Sequence, residues 1–305
     1  AARDVCAEHL RVAQEAGRGL ARALMRMATL ELLVGDPEGL ERMKEAQEQA
    51  RREGDLACEL PAANNIMDGL QTVGRVRESF ELALEQAERA RQLGLADWQR
   101  QFQAMAAVAA MYLGEHGETL RLCDEVEAVA RDPRTALQVR GVRLVALLEL
   151  GGAAEVLALT PGLRADVGDA APEATATCAY VDAAALWHLG RLEEAERAAR
   201  SADLDLRSEY PELAHSILDW VVFERGGVPD PIADDSVRSA LVHRLRAEND
   251  GVRHLAHGDA DAAARLFDEA AEQWAPRWRY AELRCRWAAA ESRRRAGAPR
   301  DEVVD

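Results

Sequence analysis

Aromatic residues and proline are scarce in this sequence, and lysine is almost missing. Only 5% of the residues are aromatic and ten are proline, while 48% are hydrophobic, with alanine dominating. Lys44 is the only lysine, so arginine carries nearly all of the positive charge. Small alanines let helices approach closely, and no segment alternates apolar and polar residues as a half-buried strand does. The composition therefore predicts an all-α fold.

Long apolar runs are missing as well. The longest covers residues 104–113, whereas a helix needs about 20 apolar residues to cross a bilayer. The chain begins with AARDVCAEHL, a charged helical pattern that differs from a secretory signal peptide. Its five cysteines are far apart and odd in number, which suits neither a disulfide framework nor a zinc knuckle. We therefore expect a cytoplasmic protein with no membrane partner.

The sequence has a large excess of negative charge, with a formal net charge of -16. This disfavours nucleic acid as a direct partner. Residues 276–300 are an exception, because eight arginines there face only two glutamates, with Trp278, Tyr280 and Trp287 between them. We expect this basic segment, with Trp287 only partly covered, to dock on a flanking domain of the same protein. In isolation, it would form a homo-oligomer through the C-terminal end.

Catalytic signatures are missing too. No GxxxxGK[ST] loop, no GxGxxG after a strand, no GxSxG elbow and no HExxH motif occurs. His254 and His257 lie three residues apart, with His243 upstream, but a metal needs a third ligand and a dry pocket. Histidine also suits the C-terminus of a helix. The sequence predicts no enzyme, no cofactor and no metal site.

Glycines recur at a nearly fixed period. The intervals between them are 39, 40, 37, 39, 36, 32 and 39 residues, for Gly35, Gly74, Gly114, Gly151, Gly190, Gly226, Gly258 and Gly297. A period in this range is typical of stacked helical hairpins with glycine at each turn.

The helices of these hairpins can be placed between the glycines. They are predicted over 18–34 with 37–53, 56–73 with 76–93, 97–113 with 118–131, 134–150 with a helix that Pro161-Gly162 cuts short, 172–189 with 192–202, 211–225, 236–257 with 260–274, and 277–296 with a helix from Pro299. GGVPDPIADD (226–235) breaks the sixth hairpin as a loop. Asp234, Asp235 or Ser236 is expected to cap the helix that follows.

One segment, LAHGDADAAARLFDEAAEQWAP (255–276), resembles the tetratricopeptide repeat. It has glycine at the turn, and Ala263, Phe267 and Ala270 on the second helix. Similar layouts occur at 189–202 and 73–87. The resemblance implies a right-handed α-α superhelix of seven to eight hairpins that forms one solenoid over 1–305. It also implies that the first helix of each hairpin lines a concave groove.

Polar and aromatic residues on the predicted first helices are candidates for lining that groove. Asn64, Asp68 and Gln71 share one helical face, and aromatic rings or histidine recur at Tyr112, Tyr180, Trp187, His188, Trp220 and Phe223. Tyr and Trp combine a large contact area with a polar group, so the groove would bind a protein, a peptide or a small-molecule effector. The alternative is that the rings fill gaps between adjacent first helices.

The late hairpins resemble the repeat region of large bacterial LuxR-type, ATP-dependent transcriptional regulators. The matching residues are Phe267, Ala270, Trp274, Tyr280, Ala281, Arg284, Arg286, Ala288, Glu291 and Gly297. This resemblance implies a sensor and scaffold segment cut from a longer protein. It assigns neither nucleotide binding nor DNA binding to this chain. Two alternatives stay open, a free-standing interaction scaffold and a peptide-pheromone receptor. The receptor would carry its own N-terminal helix-turn-helix, and no such motif is seen in this sequence.

Overall fold

The computed structural model describes residues 2–33, 36, 38–129, 132–167, 172–202, 209–232, 239–275 and 277–298, and these form helices and turns without strands. The predicted all-α class is confirmed. The fifteen helices of this described part are α1 (Ala2–Ala16), α2 (Leu20–Leu33), α3 (Glu38–Glu53), α4 (Leu56–Thr72), α5 (Val76–Gln92), α6 (Ala96–Tyr112), α7 (His116–Glu127), α8 (Pro133–Glu149), α9 (Ala153–Val167), α10 (Pro172–His188), α11 (Leu192–Arg200), α12 (Glu209–Glu224), α13 (Ser239–Ala256), α14 (Ala260–Trp274) and α15 (Arg279–Ala296).

The predicted turn glycines share one backbone conformation. Seven of them have φ between +70° and +87°: Gly74, Gly114, Gly151, Gly190, Gly226, Gly258 and Gly297. In each turn the N–H of the next residue donates to the carbonyl oxygen five positions earlier, as Arg75 does to Leu70 at 2.8 Å. This closing bond requires a left-handed residue, which glycine adopts without a steric penalty. The eighth predicted turn, at Gly35, lies outside the described residues.

The chain divides into two compact units, Ala1–Ala109 and Ala110–Asp305. In the first unit α2 packs on α1, α3 and α4, and α4 also packs on α3 and α5. Its core alternates large and small side chains, with Met43, Ile66 and Leu70 against Ala28 and Ala62. A single solenoid over 1–305 stays a prediction.

In the second unit the first helices of successive hairpins contact one another as well as their own partners. Thus α10 packs on α8 and α12 in addition to α9 and α11, and α12 to α15 pack in chain order. This layering is compatible with a helical-repeat solenoid. The α13–α14 hairpin is especially close at Gly251, where an added Cβ would lie 2.8 Å from the Phe267 ring.

One predicted helix end is wrong. The sequence predicts that Pro161-Gly162 cuts the helix short, but α9 continues through Pro161 to Val167. Val156 and Leu163 lie seven residues apart, one on each side of the proline, and both are buried. Their burial on one helical face stabilises the segment beyond Pro161, although proline removes one internal hydrogen bond.

The sixth hairpin lacks a second helix, as predicted, over the residues that the structure describes. α12 ends at Glu224, and residues 226–232 contain no helix. The proposed capping residues Asp234, Asp235 and Ser236, and the helix expected from Pro299, lie outside the described residues.

Candidate functional site

The predicted polar stripe in the first unit lies largely within contacts between helices. Gln71 is buried, and its Nε2 donates to Ser79 Oγ at 3.0 Å. Asn64 Oδ1 accepts a hydrogen bond from Gln101 Nε2 at 3.2 Å, which links α4 to α6. Only Asp68 is exposed. The three residues therefore share a helical face, but two of them join neighbouring helices.

Two of the predicted aromatic residues, Tyr112 and Tyr180, are buried around Trp278. Their ring centroids lie 5.3 Å and 6.2 Å from that of Trp278, both in edge-on geometry. Trp278 is itself 1% exposed, and its Nε1 donates to Glu149 Oε1 at 2.7 Å. The residue that precedes α15 thus fills the space between these tyrosines, an arrangement that matches the alternative of gap-filling aromatics.

Trp220 is also buried and belongs to a polar network below α15. Its ring stacks on Phe267 at 5.5 Å, and its Nε1 donates to Glu248 Oε1 at 3.0 Å. Arg284 donates to the same carboxylate at 2.8 Å and to Ser216 Oγ at 3.2 Å. Arg284 and Glu248 are both buried, so the arginine of the LuxR-like pattern pairs with an internal charge.

The remaining predicted rings lie at the surface, next to side chains of α15. We define the aromatic surface as Trp187, His188, Phe223, Tyr280, Leu283 and Trp287. Trp287 is 61% exposed and Leu283 is 47% exposed, and they lie four residues apart on α15. The centroids of Trp187 and Trp287 are 6.0 Å and 6.3 Å from that of Trp220, which lies beneath them.

Two hydrogen bonds hold the edge of the aromatic surface. Tyr280 Oη lies 3.0 Å from His188 Nε2, which joins α15 to α10. Trp187 Nε1 donates to Glu224 Oε1 at 3.0 Å, which joins α10 to α12. Burial lowers the pKa of His188, and the positive charge of Arg284 lowers it further. The His188 ring is therefore neutral at neutral pH, and the surface gains no charge from it.

Guanidinium groups flank the aromatic surface along α15. Arg279 and Arg286 both pair with Glu282, at 2.7 Å and 2.8 Å. Arg294 and Arg295 both pair with Glu291, and their hydrogen bonds lower its pKa to about 2. The Arg295 guanidinium also lies over the Phe223 ring, 5.5 Å from its centroid. The surface thus combines apolar area with guanidiniums that outnumber the carboxylates of their own helix.

Three of the six residues of this surface were predicted as groove residues from the sequence, and the others were not. Sequence reasoning named Trp187, His188 and Phe223 from their places on predicted first helices, and it noted Trp287 as partly uncovered. It missed Leu283, because an isolated leucine among arginines gives no signal of exposure. The missing information was the direction of each face of α15, which depends on its tertiary contacts.

The histidines, carboxylates and cysteines that the structure describes lie apart from one another or are paired locally. No group of three or more His, Cys, Asp or Glu that could hold a metal occurs among them. His254 Nδ1 faces Asp259 Oδ2 at 3.3 Å. All five cysteines are free, and burial raises the pKa of Cys123 to about 12 and that of Cys178 to about 11. Both thiols are therefore protonated and unreactive at neutral pH.

No helix in the described ranges has the length and apolar character that crossing a membrane requires.

No family model matches the chain, and no curated protein matches it. The resemblances to the tetratricopeptide repeat and to LuxR-type regulators therefore rest on the residues quoted for them.

Proposed function

We propose that this chain is a non-catalytic binding module built from tetratricopeptide-like hairpins, and that it binds a protein or peptide at the aromatic surface. The observation that carries the proposal is the exposed Trp287–Leu283 pair on α15, where Trp287 contacts the same buried Trp220 ring that Trp187 and Phe223 pack against. Tryptophan is enriched among residues that dominate binding energy, and soluble proteins rarely leave such clusters uncovered without a binding role.

The larger setting that we propose is a LuxR-type transcriptional regulator of the cytoplasm. In that setting, an effector bound by the repeats would change how the flanking domains assemble. The pattern that runs from Phe267 to Gly297 supports this assignment, and the five free cysteines suit a reducing compartment. The flanking sequence of the parent gene tests it. A Walker motif upstream and a helix-turn-helix downstream would support a regulator, and their absence would favour a free-standing scaffold.

A peptide-display selection tests the binding role directly. We expect the wild-type chain to enrich a defined set of peptides, and Trp287→Ala to lose them while circular dichroism shows an unchanged fold. Leu150→Ala is the control, because Leu150 is also largely exposed, at 58%, and is not one of the residues that define the aromatic surface. Failure to enrich any peptide would contradict the proposal, as would enrichment that survives Trp287→Ala.

A further inference from the structure

The exposed apolar residues of α15 differ from the other exposed apolar residues in their arrangement. Four of those others stand singly next to a turn glycine, at Val73, Leu93, Leu150 and Leu189. Leu84 and Leu159 lie within helices, but each is alone on its face. Among the described residues, Leu283 and Trp287 form the one exposed large apolar pair at a spacing of four.

The opposite face of α15 is already covered. Ala281, Cys285, Ala288 and Ala289 are each at most 1% exposed. The outer face continues from Leu283 and Trp287 through Ala290 to Arg294, at spacings of four, three and four residues. Those spacings form a ridge that fits the groove of another helix. The shape of the surface therefore favours a helical partner over an extended one.

The charges beside this ridge favour an acidic partner. Arg279, Arg286, Arg294 and Arg295 share only two carboxylates, Glu282 and Glu291, which leaves an excess of two positive charges. The other two guanidiniums near the ridge are already neutralised by carboxylates of neighbouring helices, since Arg284 pairs with Glu248 and Arg293 with Asp268. Glu224 of α12, which accepts a hydrogen bond from Trp187, is a third carboxylate at this surface and reduces the local excess to one positive charge.

The guanidiniums remain available to a ligand. The side chains of Arg279 and Arg286 are 50% and 59% exposed, and each uses one nitrogen for Glu282. A guanidinium offers five donors in a planar fork that matches a carboxylate. The rest of the chain is strongly acidic, but its charges are screened beyond about 8 Å at physiological salt. Direct contacts at α15 therefore decide which charge is preferred.

From this geometry we propose that the aromatic surface binds an acidic amphipathic helix of a partner protein. The apolar side chains of that helix pack on Leu283 and Trp287, and its flanking Asp or Glu residues pair with Arg279, Arg286 and Arg294. The inference rests on the proposed binding function and adds the chemical class of the partner.

The experiment uses two synthetic helical peptides with the same apolar stripe, one flanked by glutamates and the other by lysines. Titration calorimetry with the full chain measures both affinities at physiological salt. We expect the acidic peptide to bind at least about tenfold more tightly, the equivalent of about 1.4 kcal/mol. The preference should shrink as salt rises, because the contacts are partly electrostatic.

Two substitutions with matched controls locate the site. Leu283→Gln should weaken acidic-peptide binding at least about tenfold, and Leu159→Gln, on a residue of 44% exposure in α9, should not change it. Arg286→Glu should reverse the preference between the peptides. Arg91→Glu is its control, because Arg91 is equally exposed and also pairs with a glutamate of its own helix. Circular dichroism confirms that each variant folds.

Each result has a distinct meaning. Binding of both peptides with equal affinity, lost in Leu283→Gln, would overturn the acidic preference and leave the proposed binding function intact. If neither peptide binds, the proposal that the partner is an acidic helix is wrong. The proposed binding function is tested separately, by the peptide-display selection. Self-association that Leu283→Gln abolishes would identify a second copy as the occupant and would also overturn the proposal.

Discussion

Glu149, the last residue of α8, gives the sharpest prediction about stability. Its side chain is fully buried: Oε1 accepts from Trp278 Nε1, and Oε2 has no hydrogen-bond partner. His116 Nε2 lies 3.4 Å away. Burial raises the pKa of Glu149 to about 8, against the opposing effects of the Trp278 hydrogen bond and the Arg284 charge. Burial also lowers the pKa of His116, so both residues are neutral at pH 7.

The magnitude follows from the difference between the folded and unfolded pKa. Below pH 4.5 the carboxyl is protonated in both states and contributes nothing to the pH dependence. Between pH 4.5 and about 8 only the unfolded state loses the proton, so the free energy of unfolding falls with rising pH. At about 1.4 kcal/mol per pH unit, the loss is about 3 kcal/mol at pH 7 and about 5 kcal/mol above pH 8.

Glu149→Gln should remove this loss, because glutamine keeps the oxygen that accepts from Trp278 and cannot ionise. Urea unfolding followed by circular dichroism, at pH 5 and pH 7.5, measures the difference between variant and wild type at each pH. We expect the free energy of unfolding of the variant, measured relative to wild type, to be about 3 kcal/mol higher at pH 7.5 than at pH 5. Glu155→Gln, on an exposed residue of α9, is the control and should show no such gain.

A particular result would refute the reasoning. If Glu149 were ionised and paired with a protonated His116, Glu149→Gln would destabilise the protein, and the variant would gain nothing between pH 5 and pH 7.5. That outcome would mean that the attraction between the two charges exceeds the cost of burying them.

Three further predictions concern the fold. Gly258→Ala, at φ +82°, should lower the free energy of unfolding by about 1–2 kcal/mol. Gly117→Ala is its control, because Gly117 is exposed in the first turn of α7 and an added Cβ meets nothing, so this change should not lower stability; thermal melts compare the two. Arg284→Met should cost about 3–5 kcal/mol, because it leaves Glu248 buried without its partner, and adding Glu248→Met should recover most of that loss in the same assay. Trp220→Ala should cost about 3–5 kcal/mol, so a variant that melts like the wild type would contradict its burial.

Periodic features of the sequence predicted most of the fold. The turn glycines indicated where hairpins turn, because the seven that the structure describes all adopt a left-handed conformation that few other residues adopt. The predicted bounds of α14, Ala260–Trp274, agree with the structure. The prediction at Pro161 was wrong, because a local rule about proline took no account of the burial of Val156 and Leu163 on either side.

The candidate site was harder to predict, because it depends on which face of each helix meets another helix. Tyr180 and Trp187 lie seven residues apart on α10, yet Tyr180 is buried against Trp278 and Trp187 is half-buried at the surface. Helical periodicity places them on one face but gives no information about what crosses that face. Which of the two rings is buried depends on the position of α15 and of Trp278 before it. Trp278 is held there by its hydrogen bond to Glu149, which spans 129 residues of sequence. No local pattern contains a contact of that range.

The first and last described helices have a common property that bears on the proposed binding surface. In α1, Val5 and Val12 lie seven residues apart and are 69% and 46% exposed, and in α15 Leu283 and Trp287 are exposed together. Helices between them expose large apolar residues singly and mostly at turns, because neighbouring helices cover their other apolar positions. α15 is therefore apolar on two faces, of which one packs on α14 and the other faces solvent. Burying that second face removes apolar area from water at about 25 cal/mol per Å², a gain that is available only when another helix covers it.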